Sequence, residues 1–150
     1  MLSVENQIKK IVLRVYALLV KNGNVLVSIE SIDNFNMFKF PGGGHEMGEG
    51  LLETIQREIK EESGLEVKEF KHFYTTDFFQ ESAFNPNHQI ISVYYIAHIE
   101  SNPLFYEKIE NSKHKLVLMW RKIEELDSEE FTFPIDKYVC NLFKTTYHNS

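Results

Sequence analysis

The chain has 150 residues, of which 43% are hydrophobic, so it is long enough to bury a core and predicts one domain over residues 1–150. Its formal net charge of −6 argues against a nucleic-acid partner, because binding to a phosphate backbone depends on Lys and Arg. The lone cysteine, Cys140, excludes an intramolecular disulfide and favours a cytoplasmic setting, and the apolar run before Val20 is too short to span a membrane.

The first part of the chain predicts a β-hairpin and a further short strand. Strands are expected over residues 8–20, 25–29 and 37–40, which are rich in β-branched and apolar side chains. Asn22 and Gly23 form a typical two-residue hairpin turn between the first two strands. Pro41 and three successive glycines, residues 42–44, follow the third strand and predict a loop.

The later part of the chain predicts more strands and a closing helix. Strands are expected over residues 65–67, 69–79, 89–99 and 116–120, and residues 104–115 are charged and predict an irregular segment. An amphipathic helix over residues 131–143 has Pro134 near its start. With a helix between Gly50 and Gly64, this order favours an α/β (α+β) fold in which helices cover both faces of a mixed β-sheet.

The helix that begins after Gly50 carries an unusual arrangement of charge. At about 100° per residue, its apolar residues form one stripe. This stripe consists of Leu51, Leu52, Ile55 and Ile59. Glu62 falls inside the stripe and Glu58 lies at its edge, whereas a solvent-exposed helix would place both on the opposite side. Gly64 is placed to end the helix in a left-handed conformation.

Glu58 and Glu62 lie on adjacent helical turns, with Glu61 beside them. Like charges at this spacing cost roughly 0.2–0.5 kcal/mol in water and more when they are buried, which indicates a bound cation. Several carboxylates without His or Cys favour Mg²⁺, with Mn²⁺ as a substitute. The alternative from the residues alone is a solvated acidic helix end.

Residues 43–65 resemble the Nudix hydrolase signature, G-x5-E-x7-R-E-U-x-E-E-x-G-U, in which U is aliphatic. Every specified position is filled, by Gly43, Glu49, Arg57, Glu58, Ile59, Glu61, Glu62, Gly64 and Leu65. The resemblance implies a Nudix fold, which is an α/β/α sandwich with a mixed β-sheet. It also implies a hydrolase of phosphoric anhydride bonds that cleaves a nucleoside diphosphate linked to another moiety.

The resemblance further implies roles for individual residues. The implied metal ligands are the backbone carbonyl of Gly42 and the carboxylates of Glu58, Glu61 and Glu62. Arg57 and Glu49 are expected to aim these carboxylates. Family members often add an acid from a later loop. The candidates are Glu107 and Glu110, with Glu81 a weaker one, and for each of them an ordinary surface charge is the alternative.

The substrate is indicated by residues outside the signature. Patterns associated with coenzyme A, NADH, ADP-ribose and dinucleoside polyphosphate enzymes are not visible, which favours a MutT-like nucleoside triphosphate hydrolase. Residues 131–138 also resemble a stretch that lines the base pocket of purine triphosphate hydrolases. By that resemblance Asp136 would bind a purine edge and Phe133 would pack on the ring. Asp136 as a helix-dipole acid and Phe133 as a core residue are equal alternatives.

Phosphate binding is less clear from the sequence. Ser28, Ile29 and Glu30 stand where similar enzymes often place arginines. Lys39, Arg14 or the metals would then hold the phosphates, and Gly43 would let the backbone approach them. Aromatic side chains that could stack on a base, but for which core packing is the favoured interpretation, are Phe35, Phe38 and Trp120.

Three functions therefore stay open. The first is conversion of a nucleoside triphosphate, including an oxidised purine, to a monophosphate and pyrophosphate. The second is hydrolysis of a nucleoside diphosphate sugar or ADP-ribose, and the third is a non-catalytic nucleotide sensor. In each case the partner is a small nucleotide. Family members are often dimers, so a homodimer is a further alternative.

Overall fold

In the computed structural model of the chain, residues 7–148 are described, with side chains through Tyr147. The strands of this region are β1 (Lys10–Lys21), β2 (Asn24–Ile32), β3 (Phe35–Lys39), β4 (Gly42–Gly44), β5 (Lys71–Thr75), β6 (His88–His98), β7 (Glu107–Asn111) and β8 (His114–Lys122). The helices are α1 (Leu51–Ser63) and α2 (Pro134–His148). Two 3₁₀ turns, Ile123–Glu125 and Ser128–Glu130, connect β8 to α2.

The strands form one mixed sheet in the order β5-β6-β1-β2-β8-β7. β1 and β6 run parallel from the Lys10–His88 pair to the Val20–His98 pair, and the other pairs are antiparallel. β1 and β2 pair only next to their turn, at Val20–Val25 and Lys21–Asn24. Further along, β4 pairs with β1 and β3 pairs with β2, so β3 and β4 enter a fork between the two strands.

The sheet buries both of its faces, and β1 shows the reason. Tyr16, Leu18 and Val20 of β1 pack in the core beneath α2, which contributes buried residues such as Val139 and Phe143. The alternate residues of β1 pack in a second core with α1. These are Val15, Ala17 and Leu19, opposed by Ile55 and Ile59. Because side chains alternate across a strand, the two-residue period of β1 supplies both cores. The predicted mixed sheet between helices is therefore confirmed.

Local sequence signals are confirmed at several element ends. Asn22 and Gly23 both have positive φ, at 49° and 78°, as a tight hairpin turn requires. Gly64 ends α1 with φ 78° and ψ −2°. Pro134 begins α2 as predicted, although this helix extends to His148. Cys140 is fully buried in the core beneath α2, and burial raises the pKa of its thiol to about 11.

The prediction for the glycines after Pro41 was wrong. Gly42–Gly44 do not form a loop but the short strand β4, which pairs with β1 from Tyr16–Gly42 to Arg14–Gly44. A Cβ on Gly42 would lie 2.1 Å from the Val15 carbonyl oxygen. Gly42 thus allows β4 to lie close against β1, and this close packing has no signature in the local pattern.

Three further predictions of strands and loops were wrong in part. Residues 65–67 form no strand; Leu65 is buried in the core beneath α1 without a strand partner. The strand predicted over residues 69–79 is limited to Lys71–Thr75, and Phe78 and Phe79 beyond it are 40% and 50% exposed. The segment predicted to be irregular contains β7, an edge strand that pairs with β8. Its side chains are mostly exposed, so its sequence has no alternation of apolar and polar residues that would predict a strand.

Neither of the described helices has both the length and the apolar character that crossing a bilayer would require.

Candidate active site

Helix α1 lies against the fork of the sheet and brings its carboxylates to β4. Ile55 and Ile59 are buried as the predicted stripe requires, but Leu52 is 45% exposed. Thr54 takes a buried position instead, because its hydroxyl donates to Glu49 Oε1 at 2.9 Å and faces His45 Nδ1 at 2.7 Å. Polar contacts to the loop before the helix thus fix the first turn of α1 in place.

Glu58 lies directly on the backbone of β4. A Cβ on Gly43 would be 2.2 Å from Glu58 Oε2, so any other residue at Gly43 would displace this carboxylate. Burial raises the pKa of Glu58, and repulsion from Glu61 raises it further. The absence of a side chain at Gly43 therefore creates the space that the Glu58 carboxylate occupies.

Glu62 is the most unusual acid of the site. Its Oε1 atom is buried and has no hydrogen-bond partner among the described residues. Burial is the main cause that raises the pKa of this carboxyl to about 8; Glu58 and Glu30 add to the effect, whereas Lys39 and the Gly42 backbone N–H oppose it. An unpaired buried oxygen is costly to leave unsatisfied, and a cation would satisfy it.

Arg57 connects the loop before α1 to the carboxylates on it. Its Nε and Nη2 donate to the two Glu49 oxygens at 2.6 and 3.0 Å, and Nη2 also donates to the Gly44 carbonyl at 3.0 Å. Its Nη1 lies 3.4 Å from a carboxylate oxygen of Glu58 and of Glu61. These Arg57 hydrogen bonds are the first cause that lowers the pKa of Glu49 to about 2. Arg57 and Glu49 thus form a bidentate brace that orients the neighbouring acids.

A second group of charged side chains faces α1 across a cavity of about 140 Å³. The cavity is lined by Glu30, Glu58, Glu61, Glu62, Lys108, Glu110, His114 and Leu116. His114 Nε2 lies 2.7 Å from Glu30 Oε2, and His114 Nδ1 lies 2.8 Å from Glu110 Oε2. The hydrogen bond to Glu30 is the first cause that raises the pKa of His114. We call this cavity the carboxylate pocket.

Lys39 lies behind the carboxylate pocket and does not reach into open solvent. It is 3% exposed, with its Nζ 3.3 Å from Glu30 Oε1 and 5.6 Å from the centroid of the Tyr16 ring. Burial alone lowers the pKa of Lys39, but the charges of Glu62, Tyr16 and Glu30 outweigh burial and raise it. The structure therefore places Lys39 as an internal counter-ion of the acids.

The candidate late acids occupy different positions. Glu110 lines the carboxylate pocket, whereas Glu107 is exposed and its Oε2 lies 3.4 Å from Lys115 Nζ. Glu81 forms an isolated bridge with Gln89 and does not line the pocket. Sequence reasoning did not identify Glu30 or His114 as site residues. Glu30 was recognised only as one of the residues that stand where similar enzymes often place arginines, and no local sequence pattern indicates a role for His114.

The residues predicted to contact a base lie apart from the pocket. Asp136 is 3% exposed and its Oδ1 accepts a hydrogen bond from the Tyr94 hydroxyl at 2.5 Å. Burial raises the pKa of Asp136 to about 6, although the Tyr94 hydrogen bond lowers it. Phe133 is partly buried, with its ring centroid 6.3 Å from that of Phe84, and Phe84 in turn lies 6.0 Å from Phe35.

The other aromatic and basic candidates are engaged within the protein. Phe38 packs edge-on against Phe131 with ring centroids 4.8 Å apart. Trp120 Nε1 donates to the Tyr106 hydroxyl at 3.3 Å. Arg14 is half-buried and its Nε donates to the Tyr16 hydroxyl at 2.6 Å.

The donor set of the carboxylate pocket fits a hard divalent cation. It offers carboxylate oxygens, including the Glu62 Oε1 that has no partner within residues 7–148, and the glycine backbone approaches Glu58 closely. Within residues 7–148, no three acidic, His or Cys side chains already converge as a metal-binding set. Glu61 repels Glu58 and is 51% exposed at its side chain, so a change of its rotamer toward an ion has a small cost.

Comparison with known proteins identifies the family of the chain. The family model described as NUDIX domain matches residues 10–142. The chain belongs to the NUDIX family, and it is a hydrolase that acts on pyrophosphate bonds. Members of the family generally use a divalent metal such as Mg²⁺. None of the curated protein sequences matches the chain.

Three solved structures illustrate the similarity of fold. A MutT NUDIX hydrolase from Burkholderia pseudomallei has a TM-score of 0.70 at 16% identity, covering 89% of this chain and 98% of its own. A MutT protein from Methanosarcina mazei Go1 has a TM-score of 0.68 at 20% identity, covering 93% and 96%. A MutT protein from Bacillus halodurans has a TM-score of 0.67 at 22% identity, covering 87% and 80%. At such identities these structures support the fold alone.

Proposed function

We propose that the chain is a Mg²⁺-dependent pyrophosphohydrolase that converts a nucleoside triphosphate to a nucleoside monophosphate and pyrophosphate. The observation that carries this proposal is the buried Glu62 Oε1, which has no hydrogen-bond partner in the described part of the chain. It lies on a helix that matches the Nudix signature and lines a pocket of further carboxylates. A cation that binds together with an anionic substrate would neutralise these carboxylates and satisfy the buried oxygen.

Glu58, Glu61 and Glu62 are the proposed metal-holding side chains, together with the Gly42 backbone carbonyl. When bound, divalent cations neutralise diphosphate oxygens and lower the pKa of an attacking water. The protein itself contributes by positioning these carboxylates. Arg57 ties Glu49 to the carbonyl of Gly44, and this brace fixes the orientation of the helix relative to β4.

The overall reaction consumes one water. The water oxygen forms a bond to one phosphorus of the α–β anhydride as the P–O bond to the bridging oxygen breaks. The bridging oxygen leaves with the other phosphate product, and a water proton passes to the products or to solvent. Lys39 and Gly43 are the proposed residues for phosphate binding, Gly43 as a direct backbone contact and Lys39 through its charge. Because Lys39 is already paired with Glu30, its contribution is to hold positive charge beneath the pocket.

Phe133 and Asp136 are the proposed contacts for the base, which includes an oxidised purine. Phe133 lies beside Phe84 and Phe35, whose rings are 65% and 45% exposed, so aromatic surface remains accessible in this region. Asp136 Oδ1 accepts the hydrogen bond from Tyr94, and the second carboxylate oxygen is the proposed partner for a base edge. Aromatic faces with a carboxylate nearby suit a purine ring with exocyclic donors.

The ion pair between Glu30 and Lys39 favours a second candidate. An acid on β2 replaces the cationic side chains that a triphosphate would require, so a less highly charged substrate is accommodated more easily. This candidate is a hydrolase of a nucleoside diphosphate sugar or ADP-ribose, and its products are two monophosphates.

A product-resolved substrate panel tests the proposal. Purified protein is incubated with Mg²⁺ and with nucleoside triphosphates, oxidised purine triphosphates, nucleotide sugars, ADP-ribose or dinucleoside polyphosphates, and the products are separated by chromatography. We expect a monophosphate and pyrophosphate from a triphosphate. No turnover of any triphosphate contradicts the proposal, and two monophosphates from a nucleotide sugar or ADP-ribose identify the second candidate. Tight binding without turnover identifies a nucleotide sensor. Parallel reactions with excess chelator exclude metal-independent contaminants.

A further inference from the structure

His114 connects two carboxylates that belong to different parts of the sheet. It is the first residue of β8, and it pairs with Ile32 at the end of β2. Its Nε2 contacts Glu30 of β2 at 2.7 Å, and its Nδ1 contacts Glu110 of β7 at 2.8 Å. A ring nitrogen of His114 that carries a hydrogen donates to the carboxylate it faces, and in the protonated imidazole both nitrogens donate. His114 therefore holds a fixed orientation with both of its polar atoms engaged.

The two carboxylates differ in how firmly they are anchored. Glu30 is 19% exposed at its side chain and has a second cationic partner, Lys39, at 3.3 Å. Glu110 is 49% exposed, and its other cationic contact is Lys108 at 3.9 Å. A short hydrogen bond to a charged group is stronger than a long contact between exposed ions. His114 is thus the main link that ties Glu110 to the buried Glu30–Lys39 pair.

The position of Glu110 decides whether it can join the carboxylate pocket. Glu110 and His114 line the pocket together with Glu58 and Glu62. Glu107, on the same edge strand, pairs instead with Lys115 and does not line it. An exposed glutamate on an edge strand would otherwise sample several rotamers, and a fixed one offers its oxygen at lower entropic cost.

We propose that His114 is a positioning residue that holds Glu110 at the carboxylate pocket, so that Glu110 rather than Glu107 supplies the acid from outside α1. This inference rests on the proposed function, because it assigns the acid to the same metal site. Glu30 is the anchor of the arrangement and Lys39 is the counter-ion that keeps Glu30 in place.

Binding of Mn²⁺ in the absence of nucleotide tests this inference. The free Mn²⁺ signal in electron paramagnetic resonance gives the dissociation constant for the folded protein. Four proteins are compared: the natural chain, Glu110→Gln, His114→Ala and the double variant. We expect Glu110→Gln to weaken Mn²⁺ binding roughly tenfold in the natural background but less than about twofold in the His114→Ala background. The lost charge of His114 affects both members of the second pair equally and cancels.

Two outcomes overturn the inference. One is an equal effect of Glu110→Gln in both backgrounds, which would show that His114 does not position Glu110. The other is no effect of Glu110→Gln in the natural background. Glu107→Gln is the matched control, since it removes the same charge from the same strand, and an effect as large as that of Glu110→Gln also contradicts the proposal.

His114→Gln is the second variant if His114→Ala does not fold, because it keeps one donor of similar reach but cannot contact both carboxylates. Thermal unfolding of each variant shows whether it is folded. Since Mn²⁺ binding is measured without substrate, the inference and the proposed function fail separately: the substrate panel decides the reaction, and the variant pairs decide the role of His114.

Discussion

Two acids with buried oxygen atoms, Asp136 on α2 and Glu62 on α1, have different surroundings in this fold. Asp136 of α2 is 3% exposed and accepts a hydrogen bond from Tyr94, and burial raises its pKa to about 6. Glu62 of α1 has a buried Oε1 without a hydrogen-bond partner among the described residues, and burial raises its pKa to about 8. The larger pKa increase belongs to the less satisfied group.

The difference separates an acid that has a donor within the core from one whose buried oxygen has no hydrogen-bond partner among the described residues. Tyr94 gives one oxygen of Asp136 a donor from within the core, so this buried carboxylate needs no cation. Glu62 has Lys39 as a nearby charge but also faces Glu58 and Glu30, which are negative. A buried acid surrounded by other acids has no reason to persist for stability, and a cation-binding role explains it. Four predictions test this contrast.

The largest effect is expected from Glu62→Gln. The amide keeps the shape of the side chain but cannot neutralise a cation, so we expect kcat/KM to fall by about a thousandfold with the best substrate from the panel. Glu66→Gln is the matched control, because Glu66 is 65% exposed at its side chain and pairs only with Lys60 in the described contacts. Comparable activity of Glu62→Gln and the natural chain would show that Glu62 is not part of the active site.

Gly43→Ala is expected to lower metal-dependent activity by roughly ten- to a hundredfold, because the new Cβ would lie 2.2 Å from Glu58 Oε2 and displace this carboxylate. Gly44→Ala provides the control. A Cβ there would have its nearest contact at 3.8 Å, to Arg14. Steady-state rates at varied Mg²⁺ concentration measure both variants, and equal losses in the two would contradict the space argument.

The pKa of Glu62 predicts a pH-dependent stability in metal-free protein. The folded pKa of about 8 lies above the ordinary value of 4.5, so between these pH values the folded state holds a proton that the unfolded chain has released. The free energy of unfolding should therefore fall as pH rises through this window, by at most about 1.4 kcal/mol per pH unit.

Urea unfolding in chelator at several pH values measures this dependence as the difference between the natural chain and Glu62→Gln. We expect the variant to become the more stable of the two toward pH 8, and Mg²⁺ to reduce its advantage. A difference in unfolding free energy that does not change with pH would show that the pKa of Glu62 is not raised in the folded state.

The smallest effect is expected on the Asp136 side. Tyr94→Phe removes the donor to a buried carboxylate and should cost about 1–3 kcal/mol of unfolding free energy, while Mn²⁺ binding stays unchanged. Tyr74→Phe is the control, because the Tyr74 hydroxyl donates at 2.8 Å to Asp77, which is exposed. Its cost should be below about 1 kcal/mol. If Tyr94→Phe weakened Mn²⁺ binding, the two acids would not be independent.

Much of the fold followed from local patterns. Asn22 and Gly23 predicted the first hairpin, Gly64 predicted the end of α1, and Pro134 predicted the start of α2, because each of these signals acts within a few residues. The edge strand β7 and the glycine strand β4 were not predicted. β7 has no buried face to create an alternating pattern, and β4 is defined by close contact with β1.

For the candidate site, the sequence by itself determined that Glu58 and Glu62 lie together, because a helix places residues four apart on one side. The tertiary structure alone decided which other charges meet them. Glu30 and His114 are far apart in the chain, and only the pairing of β2 with β8 brings them within 2.7 Å. The pairing of β7 with β8, whose register shifts between Ile109 and Asn111, distinguishes Glu110 from Glu107, since the direction of a side chain on an edge strand depends on strand register, which no local pattern encodes.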